Sequence, residues 1–455
     1  MALLAALSER LNEALRPTPD RHLTRRDAAL PSIPGKAHAV IGMRRSGKSC
    51  FLKQLLAERR RVGPPERSMY LSFDDDRLAG IDASQLDALL EEYFRRYPEF
   101  RATGQSAWFL DEIQLVPGWE RFVRRVLDSE PIDIVVSGSS AKMLSREVHT
   151  SLRGRAMATV ITPFSFREVL RHHGEEPSVP ADRLTAAERS AVEARLREYL
   201  VAGGFPEVHG PGVPGPGVAS VPGVPGPSVP RDSRIKLLQG YVDAVLLLDV
   251  IERYSVSQPG ALRWIVRHAL RNPCRPVSVH RLQRDLQSQG HRVGRDTVLA
   301  MLDHLIDAFL LSAVPVATDS ERRRNTNPRR VYPADPGLIE AFDTSGRSNT
   351  GHALETAVFN ELARRGADVA YAKTADGFEV DFVARHPDGR QQLIQACADA
   401  SDEETWARET RALDAAHAEH PRAERVVVVL DVVSARQRSH PKTRIVPAHQ
   451  WLLED

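Results

Sequence analysis

Gly42-Met43-Arg44-Arg45-Ser46-Gly47-Lys48-Ser49 follows a short apolar run, HAVIG at 38–42, and opens a stretch of helical character over 48–60. Strand, glycine-bounded loop and helix form the setting in which the pattern G-x-x-x-x-G-K-[ST] holds phosphate. The glycines let backbone N–H groups turn inward around a β-phosphate, and the helix N-terminus adds partial positive charge. Lys48 has the length to reach β- and γ-phosphates, and the Ser49 hydroxyl is a hard-oxygen ligand for Mg²⁺. The expected nucleotide-binding residues are Gly42, Arg44, Arg45, Ser46, Gly47, Lys48, Ser49 and Cys50. The G-x-G-x-x-G loop of a dinucleotide-binding fold is absent.

Working outward, MYLSF (69–73), AWFLD (107–111) and IDIVVSGSS (132–140) read as further strands, with a helical pattern at 84–96. Strands separated by helices predict a parallel α/β sheet covered on both faces. AWFLD runs into Glu112, so an apolar strand ends in two carboxylates. Asp111 at that strand end suits a Mg²⁺ ligand acting through the ion's water shell. Glu112 is placed to polarise an attacking water. Ser137, at the end of the next strand, suits a side chain that senses the γ-phosphate or the attacking water.

Composition limits what surrounds this unit. The chain has 455 residues, more than one core usually spans, so two or three domains are expected. A hydrophobic fraction of 42% excludes a mainly disordered chain, and a net charge of +2 excludes a polycation that coats nucleic acid. Three distant cysteines, Cys50, Cys274 and Cys397, exclude a disulfide scaffold and fit a reducing compartment. No apolar run approaches the ~20 residues of a membrane span. The opening MALLAALSERLNEAL has a leader-like start, but Glu9 and Arg10 interrupt it and Leu4, Leu7, Leu11 and Leu15 recur at helical spacing. It reads as an amphipathic helix of a cytoplasmic protein. Residues 210–230, GPGVPGPGVASVPGVPGPSVP, can form neither a helix nor a central strand and read as a spacer.

GMRRSGKS, FLDEIQ, SGSS, LRGR (152–155), PFSFREVL (163–170) and GGFPEV (203–208) together resemble a family of prokaryotic AAA-class ATP-binding proteins. Its members carry a C-terminal domain of unknown function with a restriction-endonuclease-like core. The resemblance implies ATP with Mg²⁺, and the absence of a guanine-reading N-K-x-D motif agrees. It also implies an oligomer in which an arginine of one subunit completes its neighbour's site. Arg155 matches that position and Arg153 is the alternative; an internal ion pair is the structural reading of either. The implied division is a P-loop ATPase domain with an N-terminal helix (1–165), a helical extension (166–209), the linker (210–230), a winged-helix-like region (231–345) and a degenerate PD-(D/E)xK-like α/β domain (346–455).

Residues 261–335 have a winged helix's outline. Leu262, Ile265, Val266 and Ala269 mark its first helix, Val279, Leu282 and Leu286 its second, and Val298, Met301, Leu302, Leu305, Ile306 and Phe309 its third. A loop, ERRRNTNPRR, supplies Arg322, Arg323, Arg324, Arg329 and Arg330 as contacts for DNA phosphates. Asp296, Asp303 and Asp307 on the third helix oppose its entry into a groove. Two partners therefore stand side by side: DNA, through the basic loop, or a protein docked on a scaffold. Beyond it, helix 352–365, strands 369–373, 378–384 and 393–397, helix 404–416 and strand 426–430 follow the order of PD-(D/E)xK nucleases. Glu355 and Asp381 are the weak metal candidates there. Gln395 and Cys397 replace the acid and lysine of E-x-K, so cleavage is not expected.

Overall fold

The computed structural model describes residues 2–16, 23–31, 33, 35–104, 106–138, 154–212, 229–346 and 349–454. The chain divides into two compact units: Met1–Thr162 with Asp307–Phe309, and Pro163–Ile306 with Leu310–Asp455.

The first unit is built on five parallel strands: β1 (Ala37–Ile41), β2 (Ser68–Ser72), β3 (Ser106–Asp111), β4 (Ile132–Gly138) and β5 (Ala156–Val160), in the order β2-β3-β4-β1-β5. Side chains on a strand alternate between faces, so each strand feeds two cores. Trp108 and Leu110 of β3 join Ala37, Ala39 and Ile41 of β1 on one face, under helices at Ala2–Leu15, Ala83–Arg96 and Trp119–Ser129. Ala107 and Phe109 join Val40 on the other, under α-helix Lys48–Val62 through Phe51, Leu52 and Leu56. Burial on both faces explains the nearly continuous apolar strands. Leu11 and Leu15 place the N-terminal helix in the first core. The edge strand β5 has no counterpart in the sequence reading; its AMATV is half exposed and lacks a fully buried strand's pattern.

The second unit is helical and then mixed. Phe166–His172 begins with a capping box, Ser165 accepting from the Glu168 N–H and the Glu168 carboxylate accepting from the Ser165 N–H. Of GGFPEV, the first two residues are fixed by crowding: a Cβ on Gly203 would lie 1.7 Å from Asp335 Oδ1, and one on Gly204 2.1 Å from the Phe164 carbonyl oxygen. These stretches are packing motifs of the second unit. Residues 213–228 of the spacer lie outside the described residues.

Helices Pro259–Arg271, Val279–Ser288 and Arg295–Asp307 bury Leu262, Ile265, Val266, Ala269, Leu282, Leu286, Val298, Met301, Leu302 and Leu305. With them goes a small antiparallel sheet, β6 (Pro276–Val277), β7 (Leu311–Val314) and β8 (Arg329–Pro333), in the order β6-β8-β7. The arginine-rich stretch is not an open loop. Glu321–Thr326 is a helical turn, started by Ser320, whose hydroxyl accepts from the Arg323 N–H.

The last sheet runs β13-β12-β11-β10-β9. β9 (Asp368–Lys373), β10 (Glu379–Arg385) and β11 (Gln391–Cys397) are antiparallel, while β12 (Glu424–Val429) and β13 (Thr443–Pro447) run parallel to β11. Thr350–Arg364 covers one face and Glu403–Glu419 the other. The pairing of β10 with β9 shifts between Val380 and Val383, so two β10 residues, Asp381 and Phe382, face one position of β9. Such a bulge re-aims side chains, and Asp381 is one of them.

Candidate functional site

β1 ends at Ile41, and the chain turns at Gly42 with φ +146°. A Cβ there would meet the Ile161 carbonyl oxygen at 2.1 Å, so only glycine lets the loop start beside the end of β5. Arg45 (φ +66°) and Gly47 (φ +100°) carry left-handed turns that curl the loop back on itself. Gly47 caps the helix beginning at Lys48 without a side chain on the helix N–H groups, leaving that terminus available to an anion.

Lys48 is buried, and its ammonium donates to the carbonyl oxygens of Gly42 and Met43 at 3.0 and 3.1 Å. The Ser46 hydroxyl is wholly buried and has no hydrogen-bond partner among the described residues. A buried hydroxyl left unpaired costs free energy unless a ligand meets it. Arg44 is half-buried, while Arg45 and Cys50 are exposed. One residue had no signal in the sequence. Arg26, buried, donates to the Ser46 carbonyl oxygen at 2.9 Å and the Thr162 carbonyl oxygen at 2.5 Å, bracing the loop from a segment before β1.

The acidic strand end lies on β3, separated from β1 by β4. Asp111 is buried and accepts from the Tyr70 hydroxyl at 2.5 Å and from the Ser137 hydroxyl. Tyr70 lies on β2. Ser49, half-buried near the helix start, and Asp111, at the end of β3, are the two expected Mg²⁺ ligands. Burial, and then the Asp111 charge, push the Tyr70 phenol up, so it stays protonated and donates. Hard oxygens on two elements are a donor set that Mg²⁺ accepts.

Ser137, near the end of β4, is engaged with the acidic pair. Its hydroxyl is buried, donates to Asp111 and accepts from the Glu112 N–H at 3.1 Å. It orients the acidic pair; a hydroxyl already engaged twice has no donor proton left for phosphate. Glu112 is half-buried at φ +54°, a strained backbone for this residue type, and accepts from the Gln114 amide. Arg155 forms an ion pair with Asp128 of the same unit. Arg153, Ser139 and Ser140 lie outside the described residues.

In the second unit the largest departure is Arg330, expected on the basic loop. It sits on β8, about 7% exposed, and cannot face DNA phosphates. Its guanidinium donates to Asp381 at 3.0 Å, Glu355 at 3.3 Å and Glu379 at 2.8 Å. Arg322, Arg323 and Arg329 are exposed and Arg324 is half-exposed. On Arg295–Asp307, Asp296 and Asp303 are exposed and Asp307 half-buried. Glu355 and Asp381 do meet, but around a guanidinium. Among the described residues no group of three His, Cys, Asp or Glu side chains has the spacing to hold a metal ion. Gln395 accepts from the Asp381 N–H at 3.2 Å and donates to Glu409. Burial pushes the Cys397 thiol up to about 12, so no thiolate stands in for the absent lysine.

The fold and loop define a class, and the comparisons agree with it. Residues 34–170 match the model of an AAA domain, and residues 226–349 match the Domain of unknown function (DUF8612). The chain carries an AAA-class P-loop domain with that domain of unknown function C-terminal to it. An uncharacterized protein of Methanocaldococcus jannaschii is 29% identical over 83% of this chain and 78% of its own length. An uncharacterized protein of Haemophilus influenzae is 29% identical over 77% of this chain and 79% of its own. Among solved structures, a Walker-type ATPase of Pyrococcus abyssi aligns with 15% identity and a TM-score of 0.40 over 75% of this chain and 94% of that one. The Orc1 protein of Aeropyrum pernix in complex with DNA aligns with 16% identity and a TM-score of 0.27, over 76% and 92%. Among the described residues no helix is long and apolar enough to cross a membrane.

Proposed function

We propose that this protein hydrolyses ATP at the 42–49 loop and couples nucleotide state to its C-terminal half. The single observation that carries the reading is the loop itself: a buried lysine, an unpaired buried serine hydroxyl and an uncapped helix N-terminus around one turn. The Lys48 ammonium would exchange its two loop carbonyls for phosphate oxygens. Ser49 and Asp111 would hold Mg²⁺, which would neutralise developing phosphate charge when bound. Glu112 would accept a proton from the attacking water, with Ser137 fixing the backbone N–H from which that side chain springs. The Arg155–Asp128 pair favours an arginine that serves its own subunit over one donated to a neighbour.

The C-terminal half reads as a winged helix (231–345) followed by a restriction-endonuclease-like core (346–455) without nuclease chemistry. The sheet order β6-β8-β7 interleaved with three helices supports the first, and the helix–three strands–helix–strand order the second. The partner reading is DNA, contacted through the backbone by Arg322, Arg323, Arg324 and Arg329. The exposed acids on Arg295–Asp307 favour a second reading, a slow nucleotide-dependent switch that docks a protein.

The experiment is the ATPase rate of the purified chain with DNA, RNA and neither. A DNA-stimulated rate supports coupling to nucleic acid. A slow rate indifferent to both supports the switch. No ATP turnover at all removes the enzyme reading. Replacing the four arginines with Gln should flatten the salt dependence of DNA binding by up to about four units of log–log slope.

A further inference from the structure

The nuclease-like site of the second unit fails to fit the metal its fold implies. Such a site needs carboxylates from a helix and from the central strands converging on a hard cation. Here the carboxylates converge: Glu355 from Thr350–Arg364, and Glu379 and the bulge residue Asp381 from β10. At their focus is the guanidinium of Arg330, supplied by β8 of the neighbouring small sheet.

We infer that Arg330 is an internal plug: the chain's own cation fills the position of a divalent metal and closes the Glu355–Glu379–Asp381 pocket to metal ions. Its Nη1 contacts Glu355 and Asp381 together, and its Nη2 takes Glu379. The planar head lies beside the Tyr371 ring, 5.1 Å from its centre. Tyr371 in turn donates its hydroxyl to the Pro328 carbonyl oxygen at 2.8 Å, two residues before Arg330, tying β9 to the segment that carries the plug. The Arg330 Nε is buried and meets no acceptor among the described residues. A guanidinium that leaves one donor unpaired is held by charge and enclosure, not by a complete hydrogen-bond set. The plug also spreads the carboxylates: oxygens about 3 Å from a nitrogen are too far from a common centre for the ~2.1 Å bonds of Mg²⁺. The inference is independent of ATP hydrolysis, because every residue in it lies in the second unit.

The test is Mn²⁺ binding to the full chain without nucleotide, followed by the electron paramagnetic resonance signal of free Mn²⁺. Wild type should show no Mn²⁺ site that Asp381→Asn removes. Arg330→Ser should gain one site, at least tenfold tighter than any wild-type binding it adds to, and Arg330→Ser/Asp381→Asn should lose it again. If Arg330→Ser is too unstable for titration, its melting temperature is followed instead. A rise with Mn²⁺ that the double variant lacks supports the plug; no rise overturns it. A wild-type Mn²⁺ site that depends on Asp381 overturns it too, since the metal would then displace the guanidinium unaided. A folded Arg330→Ser with no added site likewise refutes it.

Discussion

Asp111 and Asp381 are both buried aspartates on sheet strands, yet their neighbours differ in kind. Asp111 is met by neutral hydroxyls, those of Tyr70 and Ser137. Asp381 is met by a guanidinium and by a backbone N–H, that of Ala396 at 3.1 Å. Neutral donors orient a carboxylate without cancelling its charge, so the first site keeps an attraction for a cation from outside. A guanidinium cancels charge locally, so the second site is already satisfied. Local charge balance, more than the presence of an acid at a strand, separates a site built for a ligand from one built for stability.

The largest effect is expected at the phosphate loop. Lys48→Ala should lower ATP turnover by at least ~10²–10³-fold, with weaker nucleotide binding and a melting temperature close to wild type. Turnover that survives the change would remove the first site from the enzyme reading. The converse holds at the plug. Arg330→Met should cost about 3–5 kcal/mol of stability, because the buried acidic cluster loses its one cationic partner. Glu355→Gln should cost far less, since burial, then Asp381, already push that carboxyl well above its usual range. Chemical denaturation of the two variants measures both, and equal losses would mean that Arg330 contributes packing alone.

Glu112→Gln sharpens the first half. Shape is kept and the base is lost, so nucleotide should still bind while hydrolysis falls by about 10²-fold or more. Parallel loss of binding and turnover would make Glu112 a structural residue.

A smaller effect lies away from both aspartates. His173 donates to His209 across 3.3 Å, and His209 Nε2 donates to the Gly203 carbonyl oxygen at 2.8 Å, so His209 is neutral in this chain of bonds. Burial lowers its pKa to about 3, with His173, His172 and Arg195 adding repulsion. The unfolded state then binds the extra proton first, so stability falls as pH drops below about 6.5. The loss between pH 7 and 5 should be about 2 kcal/mol from this residue, and His209→Gln should shrink it. Urea titrations at the two pH values decide; an unchanged pH dependence would place the acid sensitivity elsewhere.

The segment 321–330 shows what local pattern leaves open. Five arginines in ERRRNTNPRR look alike on paper. Arg329 and Arg330 are consecutive on β8, where side chains alternate between faces, and so one is exposed and the other buried. Nothing in the local pattern says which face meets carboxylates, because Glu355 and Asp381 are 25 and 51 residues away in the chain.

The sequence by itself determined the glycine-bounded 42–49 loop between strand and helix, the strands β1 to β4 and the acids at the end of β3. Those features rest on local chemistry: glycines that permit a turn, a helix start, and apolar runs that end in acids. Only the tertiary structure decided that Tyr70 donates to Asp111, that Arg26 braces the loop, that Ser137 serves the acidic pair, and that Arg330 sits among the second set of carboxylates. Each of these contacts joins distant residues, and it exists because packed sheets and helices bring together charges that the chain's order keeps apart.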